Sequence, residues 1–109
     1  MEQATPRYLI DVPLEVLSDG KKTQAKSHDV SLRGLGAYIP WELEVGQHVD
    51  VFMRLPFKRE DLSFRAIVRN RRGFRYGLEF SKIQRPHEDA LQGLCETLSN
   101  LGALSPFIA

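Results

Sequence analysis

The residue types best suited to chemistry are concentrated in one short stretch, Asp29-Val30-Ser31-Leu32-Arg33-Gly34. It combines a carboxylate, a hydroxyl and a guanidinium with a glycine, and Gly36 follows two residues later. Asp29 and Ser31 can bond neighbouring backbone N–H groups or a ligand, and glycines let another molecule approach the main chain. The spacing D-x-S-x-x-G describes an ordinary capped turn as well as a binding site. The stretch is therefore a candidate ligand-binding turn, and its assignment depends on the rest of the chain.

Arg7 is the second candidate, because it lies where a polar N-terminal arm meets the first predicted strand. A guanidinium is a planar fork that fits a phosphate or the O6/N7 edge of guanine. A carboxylate such as that of Asp29 accepts from the N1–H and N2–H₂ donors of guanine, and backbone N–H groups bind anionic oxygens. Together the two sites would suit a guanine nucleotide, although spacing along the chain does not show that they meet.

The sequence shows no catalytic or metal-binding pattern. His28, His48 and His87 have no cysteine or carboxylate partners at ligand spacing, so a zinc site is not expected. A nucleophile elbow and a P-loop are also missing. The single cysteine, Cys95, is in phase with the leucines of a predicted helix, where apolar surroundings disfavour the thiolate. We therefore expect a protein that is not an enzyme and uses no cofactor.

A run of arginines late in the chain offers an alternative anion-binding surface. The strand phase places Arg65, Arg69 and Arg71 on one outer face, which would attract phosphate. Binding of single-stranded nucleic acid also calls for exposed aromatic rings as stacking platforms, whereas Phe74 and Tyr76 are predicted to point inward. An oligonucleotide-binding barrel is therefore the disfavoured alternative, and a solvated arginine face is the simpler interpretation.

Length and composition indicate one globular domain over residues 1–109. The chain is 42% hydrophobic and 27% charged, and it has no apolar run near the roughly 18 residues of a membrane span. A net charge of +1 gives no global attraction to nucleic acid or membrane, so anion binding has to come from local clusters. No signal peptide or lipidation motif is visible, which leads us to expect a cytoplasmic location.

Alternating apolar residues predict six β-strands over residues 8–80, after an arm at residues 1–7. An Asp19-Gly20 pair favours a tight hairpin between the first two strands. The predicted bounds are residues 8–16, 22–30, 37–39, 48–55, 62–71 and 74–80. Short antiparallel strands at this spacing favour a small barrel, because closure removes unpaired edges.

The hydrophobic period changes near the C-terminus. One apolar stripe predicts an amphipathic helix over residues 86–101 that Gly102 ends. The stripe consists of Leu91, Leu94, Cys95, Leu98 and Leu101. The uncharged tail, residues 103–109, either packs back or supplies a self-association surface, so a homodimer through the helix or the tail is one expectation. The predicted fold is all-β with a C-terminal helix, a six-stranded antiparallel β-barrel.

These features resemble the PilZ domain family, whose members are small six-stranded β-barrels with a C-terminal helix that bind cyclic di-GMP. The family carries an R-x-x-x-R motif on its N-terminal arm and a D/N-x-S-x-x-G motif after the second strand. The stretch from Asp29 to Gly34 matches the second motif in full, and Arg75-Tyr76-Gly77-Leu78-Glu79-Phe80 is similar to a strand signature of the family. The arm reads Gln3-Ala4-Thr5-Pro6-Arg7, which keeps only the second arginine.

The resemblance implies that cyclic di-GMP binds at a site containing Gln3, Arg7, Asp29, Ser31, Arg33 and Gly34. Arg7 would stack on a guanine or form two parallel hydrogen bonds to it, and Asp29 would accept hydrogen bonds from the edge of a guanine. Ser31 would hydrogen-bond a phosphate or stabilise the turn. Gly34 would keep the backbone open. Gln3 lacks the charge of arginine, which predicts an affinity lower by roughly one to two decades. The implied function is a sensor that regulates a partner protein; the alternative is an adaptor that binds no nucleotide and acts through protein contacts.

Overall fold

The computed structural model describes residues 5–55 and 61–105. These residues form seven β-strands and one α-helix, numbered here in chain order. The elements are β1 (Tyr8–Leu9), β2 (Pro13–Ser18), β3 (Lys21–Val30), β4 (Gly34–Tyr38), β5 (His48–Arg54), β6 (Asp61–Arg72), β7 (Arg75–Lys82) and α1 (Arg85–Asn100). Within the described residues, no helix is long and apolar enough to cross a membrane.

The strands form one antiparallel sheet that closes on itself. The strand order is β1-β3-β2-β5-β6-β7-β4, and a further pairing of β3 with β4 completes the ring. Because β3 has ten residues, it pairs with β2 along its first half and with β4 along its second half. The predicted six-stranded antiparallel barrel is confirmed, and β1 is an additional strand that pairs with β3 outside the ring.

The barrel interior holds the apolar residues that alternate along the strands. On β5, for example, Val49, Val51 and Met53 are buried, as the period-two pattern predicted. Among the described residues, Tyr76 has the largest fully buried side chain. Its hydroxyl accepts from the Leu43 N–H at 2.9 Å and donates to the carbonyl of Trp41, so the loop after β4 is tied to the barrel.

The first predicted strand, residues 8–16, is wrong as a single element, because it divides into β1 and β2. Ile10 and Val12 still point into the core, so their predicted burial is confirmed. Between the two strands the Ser27 hydroxyl donates to the Ile10 carbonyl and accepts from the Val12 N–H, both at 2.8 Å. The Ser27 side chain thus takes the place of backbone-to-backbone hydrogen bonds at Ile10 and Val12. Hydrophobic periodicity does not reveal such side-chain-to-backbone bonds.

Two further expectations were wrong in detail. The third strand begins at Gly34, not at residue 37, so the two glycines of the candidate turn belong to a strand and have ordinary negative φ values. Phe74 was predicted to point inward but is 53% exposed, because it occupies the turn between β6 and β7 beside Gly73, whose φ is 63°. A residue in a turn does not follow the inward–outward alternation of the flanking strands, so the strand pattern does not predict the orientation of Phe74.

Helix α1 packs its leucine stripe on the barrel. Leu91, Leu94, Cys95 and Leu98 are buried as predicted, whereas Leu101 is exposed because it follows the last helical turn. The chain then reverses at Gly102, whose φ is 71°. The tail packs back as an extended segment: Leu9 N donates to Ala103 O at 2.7 Å and Ser105 N donates to Arg7 O at 2.8 Å. The end of the predicted tail, residues 106–109, lies outside the described residues.

Candidate functional site

Arg7 and Asp29, which are far apart in the sequence, form an ion pair. The pairing of β1 with β3 sets Leu9 opposite Asp29, and Arg7, the residue before β1, reaches the carboxylate. Arg7 Nη2 donates to Asp29 Oδ1 at 2.6 Å, and the two side chains are only 18% and 6% exposed. Solvent screens such a pair less than a surface pair. Gln3, the other arm residue predicted for the site, lies outside the described residues.

The carboxyl group of Asp29 is subject to two opposing effects. Burial raises its pKa, whereas hydrogen bonds and positive charge from Arg7 and His28 lower it, and the net pKa lies below the usual 3.8. His28 Nδ1 is 3.4 Å from Asp29 Oδ2 and 3.2 Å from Arg75 Nη2. That nitrogen either donates to the carboxylate or accepts from the guanidinium. Asp29 is therefore an anion at neutral pH that can accept, but not donate, hydrogen bonds.

Ser31 holds the turn between β3 and β4. Its hydroxyl oxygen accepts from the backbone N–H groups of Arg33 and Gly34 at 3.1 and 3.2 Å, and the residue is almost fully buried. Of the two roles expected for Ser31, the structure shows the one that stabilises the turn. Arg33, in contrast, projects from the turn as an exposed residue.

Gly34 lies in close contact with the neighbouring strand. A Cβ atom at this position would collide with the main-chain carbonyl oxygen of Leu78 on β7. Backbone cannot give way as a flexible side chain does, so the packing of β4 on β7 requires glycine here. This requirement is independent of any ligand, and the predicted role in ligand binding stays a prediction.

Four residues in register form a row across the outer face of the barrel. Asp29 on β3 opposes Gly36 on β4, Gly36 opposes Gly77 on β7, and Gly77 opposes Asn70 on β6. A Cβ on Gly36 would collide with the Asp29 carboxylate, and a Cβ on Gly77 would come within 2.6 Å of both polar atoms of the Asn70 carboxamide. The side chains of Asp29 and Asn70 thus lie over the backbone of two glycines, Gly36 and Gly77, which we call the glycine floor.

An open groove of about 1110 Å³ lies over this row and extends to the start of α1. Its lining contains six arginines, namely Arg7, Arg33, Arg69, Arg71, Arg72 and Arg75. Among the residues that the structure describes, three carboxylates face them, those of Asp29, Glu79 and Glu88, so this lining carries a formal excess of three positive charges (six minus three). We call this depression the arginine groove. Its volume is slightly above the range of about 300–1,000 Å³ that is usual for small-molecule sites, and its charge suits a ligand with more than one anionic group.

The arginines of the groove differ in how firmly they are held. Arg69 pairs with Glu79 at 3.0 Å, and Arg71 donates to the Gly73 carbonyl at 2.8 Å with its guanidinium 5.5 Å from the Tyr76 ring centroid. In the described part of the chain, the guanidinium groups of Arg33 and Arg72 have no hydrogen-bond or ion-pair partner. These two guanidinium groups are therefore available to bind an anion.

The arginine face predicted from the strand phase is wrong in its membership. The register shift between Val68 and Asn70 adds one residue to β6 and interrupts its alternation, whereas the shift between Arg65 and Ala66 adds one residue to β7. Arg69 and Arg71 line the groove, whereas Arg65 lies outside it and pairs with Asp50 on β5 at 3.1 Å. A period-two pattern cannot show a bulge, since one extra residue reverses the orientation of everything that follows.

Asn70, Gly77, Arg72 and Arg75 were not predicted as site residues. A usable signal was Gly77, because a glycine inside an apolar strand often marks a close approach. Within residues 5–55 and 61–105 no group of three or more His, Cys, Asp or Glu side chains that could hold a metal ion occurs. His87 accepts from the Ser63 N–H at 3.2 Å.

Comparison with known structures shows the same architecture. MotI/DgrA, an inhibitor of motility from Bacillus subtilis, superposes with a TM-score of 0.74 at 17% identity, over 92% of this chain and 53% of that one. The PilZ domain of YcgR from Escherichia coli, solved with c-di-GMP, gives 0.72 at 18% identity over 94% and 95% of the two chains. The PilZ domain of CeSA from a cellulose-synthesizing bacterium gives 0.65 at 19% identity over 88% and 97%.

This chain spans about half the length of the MotI structure, and at these identities the likeness shows a shared fold. No curated protein sequence matches the chain. The model of the PilZ domain matches residues 2–97, which is most of the sequence and includes the arm, the whole barrel and most of α1. The resemblance inferred from the motifs is therefore confirmed, and the chain belongs to the PilZ domain family.

Proposed function

We propose that this domain binds cyclic di-GMP in the arginine groove and regulates a partner protein in response. The observation that carries the proposal is the Arg7–Asp29 ion pair at the edge of a cationic groove with a glycine floor. Cyclic di-GMP has two phosphodiester charges and two guanine bases. The excess positive charge suits the phosphates, and the Asp29 carboxylate suits the N1–H and N2–H₂ donors of guanine.

Arg7 has donors left for a ligand. It is held by one hydrogen bond through Nη2, and among the described residues its buried Nε has no acceptor. A buried donor left without a partner costs about 1–3 kcal/mol. A phosphate or a guanine O6/N7 edge would therefore be a favourable second partner for this guanidinium. The guanidinium groups of Arg33 and Arg72, which have no partner in the described part of the chain, would contact the phosphates.

The proposed output is a change in the surface where the N-terminal and C-terminal segments meet. The carbonyl of Arg7 accepts from Ser105, while its guanidinium contacts Asp29. Any ligand that moves Arg7 therefore acts on the tail as well. The relatives support a regulatory role: YcgR was solved in complex with c-di-GMP, and MotI is named as an inhibitor of motility.

Isothermal titration calorimetry with cyclic di-GMP at moderate salt tests the proposal. Arg7→Gln and Asp29→Asn each remove a charge-assisted contact, so we expect the affinity to fall by about 10- to 150-fold. Arg54→Gln is the matched control, because Arg54 carries the same charge but pairs with Asp61 outside the groove. Equal affinity in all four proteins would exclude the groove as the site.

Gln3→Arg is the complementary variant. It restores the first arginine of the family's arm motif, and we expect tighter binding by roughly one to two decades. Absence of binding heat up to high micromolar ligand, both in the parent and in Gln3→Arg, would rule out cyclic di-GMP as the ligand.

A second candidate function is a nucleotide-independent adaptor. The joined segment of β1 and the tail exposes Leu9, Leu101 and Leu104, the last at 62%. Exposed apolar side chains on one segment are typical of a protein contact surface. Size-exclusion chromatography and pull-down with Leu101→Ser and Leu104→Ser test it. Unchanged mass and unchanged partners would count against this surface.

A further inference from the structure

The orientation of Asn70 depends on a bulge in β6. Val68 opposes Leu78 and Asn70 opposes Gly77, so β6 has one more residue than β7 between these two pairs. In a regular strand, residues two apart share a face. Val68 is fully buried, and without the bulge Asn70 would point into the same core. The bulge turns the carboxamide outward, as bulges do where a side chain has to be re-aimed.

The carboxamide then lies across Gly77. An added Cβ on this glycine would be 2.6 Å from both Oδ1 and Nδ2 of Asn70. In the described part of the chain neither atom has a hydrogen-bond partner, and the residue is exposed and lines the arginine groove. Asn70 therefore presents an unused donor and an unused acceptor to whatever occupies the groove.

Asn70 and Asp29 are placed at the two ends of one row. Each side chain lies over the glycine next to it, and Gly36 and Gly77 belong to adjacent strands, which are about 4.8 Å apart. The charged carboxylate only accepts hydrogen bonds, whereas the carboxamide also donates. A guanine base has donors at N1 and N2 and acceptors at O6 and N7. The two side chains thus provide complementary groups for guanine bases above the floor.

We propose that Asn70 is a second base-reading residue of the groove, which donates Nδ2–H to the O6/N7 edge of guanine above the Gly36–Gly77 floor. The inference rests on the proposed function and deepens it. The family's two motifs do not include this position. In this chain, the residue would supplement the contacts of an arm that has only one motif arginine.

The test is calorimetry with cyclic di-GMP on Asn70→Ala. Loss of a base contact of this type weakens binding by about 5- to 150-fold. Asn100→Ala is the matched control, because Asn100 is an exposed asparagine at the end of α1, outside the groove. Since Asn70 is exposed and unbonded within the described residues, both variants should keep the thermal midpoint of the parent.

Gly77→Ala provides an independent variant that leaves Asn70 in the sequence. Its Cβ displaces the carboxamide, so we expect a similar loss of affinity and little further loss in the double variant with Asn70→Ala. Asn70→Asp removes the donor and keeps the shape. It should weaken cyclic di-GMP more than cyclic di-AMP, because adenine offers a donor at N6 where guanine has the acceptor O6.

The outcomes separate the two proposals. Loss of affinity in Asn70→Ala but not in Asn100→Ala, at equal thermal midpoints, supports the assignment. Binding by the parent with unchanged affinity in Asn70→Ala overturns the role of Asn70 and leaves the proposed function standing. No binding by the parent or by Gln3→Arg overturns both.

Discussion

At the scale of single residues, Asp29 takes part in both the fold and the candidate site. Its carboxylate is almost fully buried, which is costly for a charge unless it is paired. Arg7 and His28 supply the compensation and hold its pKa below the usual 3.8. The same charge then faces the arginine groove. The sequence motif identified the residue, but it did not identify the partners that keep it ionised.

Replacement of Arg7 by glutamine should destabilise the domain in a pH-dependent way. Because the folded-state pKa of Asp29 is lowered, its contribution is complete above the unfolded value of 3.8 and is lost as the pH falls through the folded value. Arg7→Gln leaves the buried carboxylate poorly compensated, at a cost of about 1–3 kcal/mol in the free energy of unfolding at pH 7.

Urea unfolding of Arg7→Gln and the parent between pH 7 and pH 3 measures this difference. The difference in the free energy of unfolding should be largest at neutral pH and shrink as the pH falls, because the unpaired carboxyl, whose pKa burial raises, takes up a proton before the paired carboxyl of the parent does. Arg54→Gln breaks an exposed pair and should change the free energy by less than about 1 kcal/mol at any pH. A difference for Arg7→Gln that does not depend on pH would contradict this account.

Ser31→Ala should lower the free energy of unfolding by about 1–2 kcal/mol, because two backbone N–H groups lose their acceptor. Chemical denaturation measures this cost. Ser31→Thr keeps the hydroxyl and serves as the control, although its extra methyl has little room at a buried position. A fully stable Ser31→Ala protein with impaired ligand binding would instead assign the hydroxyl to the ligand.

At the scale of elements, hydrophobic alternation predicted the strands well but missed their irregularities. The Asp19-Gly20 pair located the hairpin of β2 and β3, and helical spacing located the leucine stripe of α1. None of these patterns showed the break between β1 and β2 or the bulge of β6, because both depend on hydrogen bonds to other strands. The bulge of β6 decides the orientation of Asn70, which lines the groove. The least predictable elements are thus the ones that shape the site.

Three strand glycines should respond differently to alanine. At Gly34 the added Cβ collides with the backbone of Leu78, so we expect a loss of about 1–3 kcal/mol in the free energy of unfolding. At Gly77 the obstacle is the exposed Asn70 side chain, which can swing away, and stability should change by less than about 1 kcal/mol. Gly36→Ala should fall between them, since Asp29 is held by Arg7.

Thermal and urea unfolding of the three variants provide the ranking. A loss in Gly77→Ala as large as that in Gly34→Ala would show that Asn70 is rigidly held, contrary to this interpretation of the contacts.

The contact between β1 and the tail should depend on the backbone N–H of Ser105. Proline at this position cannot donate to the Arg7 carbonyl. Ser105→Pro is therefore expected to speed hydrogen exchange at the Leu9 amide, whose acceptor is the carbonyl of Ala103. Ser105→Ala keeps the donor and should exchange like the parent. Equal protection of Leu9 in all three proteins would show that the tail does not stabilise β1.

At the scale of the whole molecule, a nearly neutral chain carries a strongly cationic groove. The net charge of +1 hides an excess of three positive charges in the lining of the arginine groove. Closure of the barrel produces this segregation, because it brings β3, β4, β7 and β6 side by side with their outer faces continuous. Electrostatic attraction of an anionic ligand is therefore a local property of one face.

The single cysteine should report unfolding of the whole domain. Burial raises the pKa of the Cys95 thiol to about 11, so the reactive thiolate is scarce in the folded protein near pH 8. Labelling with a thiol reagent is expected to be slow in buffer and fast in urea, with a midpoint that coincides with that of circular dichroism. Rapid labelling without urea would mean that α1 detaches from the barrel by local opening.

The sequence by itself determined the fold class, the helix and its buried stripe, the core alternation and the family motif, because these depend on local periodicity and residue type. The tertiary structure decided which distant residues meet. Strand register joins Arg7 to Asp29 and aligns Asp29, Gly36, Gly77 and Asn70 in one row. Register and bulges arise from hydrogen bonds between strands far apart in the chain, and a linear pattern does not contain them. The candidate site exists only in that register.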